Sequence, residues 1–178
     1  FIYGSIKQAG ATIRVNAQLI DSQTEEVLKS FQIEGPSKEE MIFQIIDSLS
    51  IEIKNFLIIS KLKKELSFNQ LSPHRTYELV STNSPEAYRF FLLGDIAFNK
   101  NDFSEAIKMY LQAIDIDSNY IVAEMRIPFA FGNQGLYEQE KEWCLKLYSK
   151  RDHMTMIEKI YFNYIYADCF ETPYESIK

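Results

Sequence analysis

The sequence contains only two cysteines, one tryptophan, five prolines and six glycines in 178 residues. Cys144 and Cys169 are too few for a disulfide framework or a zinc site. Each falls among apolar neighbours in a helical pattern, which predicts two buried free thiols. No apolar run approaches the roughly 20 residues that a membrane-spanning helix needs. There is no signal peptide and no initiating Met. The chain opens within a strand pattern, Phe1-Ile2-Tyr3-Gly4, and stops at Ile177-Lys178, where a further helix is expected to begin. We therefore read it as a piece of a longer protein. The compartment stays open between cytoplasm and bacterial envelope or periplasm. Clustered positive charge is also scarce. Lys61, Lys63 and Lys64, and Lys146, Lys150 and Arg151, read as solvated helix faces, and the net charge is −6 with a pI near 5.0. That balance argues against a nucleic-acid or anionic-membrane surface.

Recognisable catalytic chemistry is missing as well. The sequence has no nucleophile elbow, phosphate loop, H-E-x-x-H or C-x-x-C. His74 and His153 lie in different segments and read as surface residues. Asp115 and Asp117 close a helix, where a turn or cap role is expected. The expectation is no enzyme, no catalytic residue, no metal and no cofactor.

What is present is apolar and aromatic: 46% hydrophobic and 14% aromatic residues, enough for one large domain or two small ones. From Ala11 to Asp21 the sequence alternates. Ile13, Val15, Ala17 and Leu19 share one face and Arg14, Asn16 and Gln18 the other, the mark of a half-buried strand. Gln8-Ala9-Gly10 before it is a turn. After a polar turn at Asp21 to Glu25, a partner strand runs from Val27 to Glu34. Lys29 on its apolar face is expected at an edge or reaching to solvent. Gly35-Pro36 ends this strand. Ser37 and Glu40 form a capping box, and a helix with Ile42, Ile45, Ile46, Leu49, Ile53, Phe56 and Leu57 at helical spacing follows. The expected organisation is a lobe over 1–60, a linker over 61–83 in which Thr76 to Val80 reads as either a short helix or an extended stretch, and a helical array over 84–178. The fold class is an α+β fragment followed by an all-α part: a small β-hairpin/helix lobe, then helical hairpins stacked as an α-solenoid.

The array begins with a helix–turn–helix from Ser84 to Tyr120. Ser84 caps it, with Pro85 in its first position and Glu86 in its first turn. Phe90, Leu93 and Gly94 follow the spacing W-x2-L-G, and Ala106, Tyr110 and Ala113 the spacing A-x3-F-x2-A. This stretch resembles the tetratricopeptide repeat, of about 34 residues. Gly94 and Ala106 are small where two helices approach, with Phe90, Leu93 and Tyr110 filling the space between. Phe90, Ala97 and Ser118 replace the usual tryptophan, tyrosine and proline. Tyr137 lies 34 residues after Phe103 and Leu147 lies 34 after Ala113, which places repeats at about 87–120 and 121–154 and a truncated third from about 158, with Tyr174 opening its second helix. The second repeat departs further: Pro128 stands in the place of Gly94 and is expected to kink or shorten its helix, and Glu140 stands in the place of Ala106.

The first lobe carries a second resemblance. Gly4, Arg14, Val15, Gln18, Leu19, Asp21 and Thr24 match a stretch that precedes an amphipathic helix in TolB amino-terminal-like and FlgO-like bacterial proteins. Glu25 replaces the usual glycine, and the tryptophan is absent. Such a lobe followed by tetratricopeptide hairpins resembles the arrangement found downstream of Ser/Thr kinase, nucleotide cyclase or winged-helix domains. The resemblance implies a non-catalytic interaction or sensing module of a bacterial signalling or regulatory protein, such as a transcription regulator, with a peptide or protein partner. The alternative it implies is an envelope assembly scaffold of the TolB or FlgO kind.

In tetratricopeptide arrays the first helix of each repeat lines a concave groove. Repeat position places Tyr88, Phe91, Asp95, Phe98 and Asn99 there, then Val122, Met125, Arg126, Phe129 and Asn133, then Lys159, Phe162, Asn163 and Tyr166. Phe98, Met125, Arg126, Phe129, Tyr166, Asp95 and Asn133 are the candidate partner-binding residues, because aromatics with Arg and Asn are the types that anchor peptides. Tyr88 and Phe91 are equally readable as rings buried against the linker or first lobe. Phe91 and Asp95 stand where a carboxylate-binding subfamily presents Lys and Asn, so a carboxyl-terminal ligand is not expected.

Overall fold

The computed structural model describes residues 1–67 and 82–170 of the chain. The chain divides into two units, Phe1–Ile58 and Ile59–Lys178. In the first unit, β1 (Ile2–Ala9), β2 (Thr12–Ile20) and β3 (Val27–Pro36) form one antiparallel sheet in that order. Val15 lies opposite Ile6 on one side and Ile33 on the other. The β1–β2 hairpin turns at Gly10, which adopts a left-handed φ of 58° at no steric cost. The alternation of β2 becomes burial: Ile13, Val15, Ala17 and Leu19 are buried together with Phe31, Ile45 and Leu49, so the first half of helix α1 (Glu39–Ser67) covers this face. Phe56 meets Phe31 edge-on at 5.8 Å. Lys29 is exposed, with its ammonium 6.0 Å from the Phe56 ring, so its stem crosses apolar surface while its head stays in water. Ile2 and Ile6, on the same side of the edge strand β1, remain exposed.

Helix α1 runs on to Ser67, into the stretch expected to be linker. The reason is local: from Ile58 to Leu62 apolar residues continue at helical spacing with neither Gly nor Pro to stop them, and Ile59 and Leu62 pack into the core of the second unit. The Glu40 side chain of the expected capping box, the short helix at 76–80, His74 and Tyr174 lie outside what is described.

The second unit is helical: α2 (Pro85–Asn99), α3 (Phe103–Ile116), α4 (Ile121–Gly132), α5 (Tyr137–Tyr148), a 3₁₀ turn at Arg151–His153, and α6 (Met156–Phe170). Ser84 caps α2 by accepting from Ala87 N, and Asp102 caps α3 by accepting from Glu105 N. The two hairpin turns repeat each other with an offset of 34 residues. Asn101 (φ 61°) corresponds to Gly135 (φ 73°), and the bond from Asp102 N to Ala97 O corresponds to that from Leu136 N to Phe131 O. Pro128 stands inside α4, which continues through it to Gly132. Asp117 takes the expected cap role, accepting from Asn119 N at 3.1 Å and from the Thr82 hydroxyl at 2.6 Å. Among the described residues the second unit contains no strand.

Two apolar cores follow. One joins Tyr88, Phe91 and Leu92 of α2 to Tyr110 of α3 and Tyr120, Val122 and Ile127 at α4. The other joins Met125 to Cys144, Leu147, Met154, Phe162 and Ile165. The repeat pattern puts Phe90 and Leu93 between the helices; instead Phe90 is half-buried and Leu93 is 37% exposed, while Phe91 and Leu92 are buried. The larger rings of Tyr88, Phe91 and Tyr120 turn the burial of α2 toward α4, with Phe91 5.3 Å from Tyr120 and 5.9 Å from Tyr110. Gly94 does fill the role its spacing predicts, since a Cβ there would stand 2.5 Å from Tyr110 Cε1.

The cysteines correct an expectation. Cys144 on α5 and Cys169 near the end of α6 are joined as a disulfide, with Cα atoms 7.2 Å apart. Their linear separation hid this, because α6 returns along α5 and brings its last turn to the buried Cys144.

Candidate protein-interaction face

Helices α2, α4 and α6 carry the expected partner-binding residues. Their sequences place Asp95 and Arg126 on neighbouring helices, 31 positions apart, and the stacking brings them into contact. Asp95 Oδ1 accepts from Arg126 Nε at 3.1 Å and from the Tyr110 hydroxyl at 2.7 Å. Asp95 is 1% exposed and Arg126 is mostly covered. The guanidinium also lies 5.8 Å from the Phe98 ring and hydrogen-bonds Tyr161 of α6. Burial works to lower the Arg126 pKa, but the Asp95 carboxylate, with Tyr110 and Tyr161, raises it, and the net direction is upward. Burial likewise raises the Tyr161 pKa, against the lowering effect of Arg126. Tyr120 is raised well above its ordinary value by burial first and then by Tyr88, Asp95 and Asp117. Among the described residues, the second Asp95 oxygen and the Tyr120 hydroxyl have no hydrogen-bond partner.

This network joins α2, α3, α4 and α6 through a charge pair that is shielded from water. Removing one partner of such a pair would leave the other charge buried and uncompensated. The network's edge at Phe98 and Arg126 is the part that reaches solvent: Phe98 is half-buried, and Arg126 keeps 16% of its side chain exposed.

The candidates therefore separate. Phe98, Asp95 and Arg126 come together. Phe129 and Asn133 meet at the end of α4, where Asn133 Nδ2 donates to Phe129 O at 2.8 Å. Tyr166 lies apart, half-buried among Tyr148, Phe162 and Phe170. Two candidates lie beneath the surface: Met125 is fully buried in the second core, because α5 and α6 enclose that side of α4, and Asp95 is 1% exposed, with one oxygen bonded to Arg126 and Tyr110. Tyr88, Phe91, Val122 and Phe162 of the wider groove are buried too, as core rather than surface.

Sequence reasoning missed the acidic groups of the second repeat. Glu124 is 1% exposed and pairs with Lys150, which also reaches Ser118 O at 3.4 Å. Glu140 is 8% exposed and lines a cleft of about 580 Å³ with Phe129, Gly132, Asn133, Tyr137 and Asp168. Both stand where the repeat pattern asks for apolar or small residues, and that departure was the available signal. Among the described residues no group of three or more His, Cys, Asp or Glu is placed to hold a metal ion, and no helix is long and apolar enough to cross a membrane.

A family model described as tetratricopeptide repeat matches residues 87–120, the α2–α3 hairpin. No curated protein and no solved structure gave a match. The match and the helical hairpins identify a tetratricopeptide segment, a fold of protein–protein interaction.

Proposed function

We propose that this chain is a non-catalytic interaction or sensing module of a bacterial signalling or regulatory protein, and that it engages a peptide or protein on the face formed by α2, α4 and α6. The observation that carries this is the Phe98–Arg126 edge, a half-buried ring beside a mostly covered guanidinium that still reaches solvent, supported from beneath by Asp95 and Tyr110. An aromatic ring and a fixed guanidinium at the edge of a rigid helix pair are the type of anchor on which interface energy concentrates. The resemblance of residues 1–60 to TolB-like and FlgO-like lobes belongs to the same proposal, as does an upstream kinase, cyclase or winged-helix domain. The division into lobe, linker and array also belongs here.

A displayed peptide library panned on the full chain tests the reading. Selected peptides should lose about 2 kcal/mol or more of binding, roughly 30-fold, when Phe98 is replaced by Ala. Peptides that bind Phe98→Ala and the parent equally would remove this face from the proposal. A second reading, an envelope assembly scaffold, is favoured by one observation: the Cys144–Cys169 disulfide, a bond that persists in oxidising compartments.

A further inference from the structure

In the first repeat the large Phe98 stands near the end of the first helix and the small Ala106 near the start of the second. In the second repeat, at the same offset of 34 residues, the sizes are exchanged: Gly132 faces Glu140. The exchange is steric. A Cβ at position 132 would stand 2.6 Å from Glu140 Oε1 and 2.9 Å from its Cδ, so the carboxylate occupies space that only glycine leaves. The side chain is nevertheless 8% exposed, and among the described residues it accepts no hydrogen bond and forms no ion pair. It lines the cleft between the end of α4, the start of α5 and the end of α6.

A mostly covered carboxylate at the wall of a cleft, whose nearby cation Lys141 lies 4.0 Å from a different carboxylate, Glu138, favours a ligand that brings positive charge. The charged groups facing it are Asp168 from α6 and Glu138 and Lys141 from α5, and Lys141 is 4.0 Å from Glu138. Three carboxylates thus share the cleft with one ammonium. The walls include the rings of Phe129 and Tyr137. A hard metal ion wants six or more oxygen ligands in a shell, and no such cluster is present among the described residues. A planar guanidinium fits better: it bonds carboxylates in a fork, lies against aromatic faces, and brings an apolar stem.

We propose that this cleft is a binding pocket for a guanidinium group, supplied by an arginine side chain of a protein partner, with Glu140 as its principal acceptor, Asp168 as its second, and Phe129 and Tyr137 as its walls. The proposal rests on the interaction reading above and names one of its anchors. Burial, and then Asp168, raise the Glu140 pKa, so binding should weaken with acid at a higher pH than an ordinary carboxylate would dictate.

The test uses the full chain with three probes followed by NMR titration: N-acetyl-arginine amide, its neutral citrulline counterpart, and an alanine pentapeptide with a central arginine. The arginine probes should bind at least about tenfold more tightly than citrulline, as expected for a bond to a charged group. Glu140→Gln should abolish that preference, and Asp168→Asn, on an exposed side chain that leaves the fold alone, should reduce it. Equal binding of arginine and citrulline, or displacement of arginine by millimolar calcium, overturns the proposal. Equal affinity for the amide and the pentapeptide overturns its partner-borne part. If arginine selectivity is absent while Phe98-dependent peptides still bind, the pocket fails and the interaction face stands; if both are absent, both readings fail.

Discussion

Replacing Gly94 by alanine should destabilise the helical unit, although alanine is the better helix former by about 1 kcal/mol. The new methyl would stand 2.5 Å from Tyr110 Cε1 and 2.6 Å from Cδ1. Carbon atoms prefer about 3.5–4.0 Å, so the ring must retreat by roughly 1 Å. It has little room to do so, because Tyr110 is fully buried and its hydroxyl is held 2.7 Å from Asp95. Overpacking costs about 1–3 kcal/mol. Weakening a hydrogen bond to a charged group adds up to about 1.5–3 kcal/mol. After the helix-propensity gain, the net loss should be about 2–4 kcal/mol, or roughly 8–16 °C in Tm for a unit of this size. Circular dichroism melts and urea titrations of the full chain read this directly. In a Tyr110→Leu background the obstacle is gone, and Gly94→Ala should become neutral or stabilising by about 1 kcal/mol. A Gly94→Ala chain that melts at or above the parent temperature would refute the close contact. So would the same loss in both backgrounds.

Arg126→Met should cost about 3–5 kcal/mol in urea unfolding, since it strands a buried Asp95 carboxylate, and adding Asp95→Asn should recover much of the loss; a single variant as stable as the parent would contradict the buried pair. Thiol titration of unreduced, denatured protein should find no free thiol, and two thiols per chain would restore the expectation of unpaired Cys144 and Cys169. Glu140 binds its proton more tightly folded than unfolded, so it withdraws stability as pH rises from the ordinary 4.5 through its raised folded value. Glu140→Gln should therefore melt above the parent at neutral pH, with the gap closing as pH falls below the carboxylate range. A gap independent of pH would contradict the shift.

Much of the fold was legible because its signals are local. The alternation from Ile13 to Leu19 became the buried face of β2 without change, since a strand needs only one covered side to express its period. Ser84 fixed the start of α2 by accepting from Ala87 N three positions on, with Pro85 in the first turn. The end of α1 was less legible. Apolar residues scattered among polar ones beyond Ser60 suggested a linker, but helix persists until something stops it, and Ile59 and Leu62 found a core to enter. Of the partner-binding set, Phe98 and Arg126 could be placed by repeat position. The burial of Met125 could not, because it depends on how closely α5 and α6 approach.

By itself the sequence determined the order of strands and helices, the 34-residue spacing, and the small residue at Gly94, each set by spacing along one chain. Tertiary structure alone decided which side of each first helix is buried, the pairing of Asp95 with Arg126 and of Cys144 with Cys169, and the room that Gly132 leaves for Glu140. These are relations between helices brought together by stacking. Their partners stand 31, 25 and 8 residues apart in sequence, and no rule of helical spacing connects them. Only the rotation and approach of one packed helix against another bring those side chains into reach.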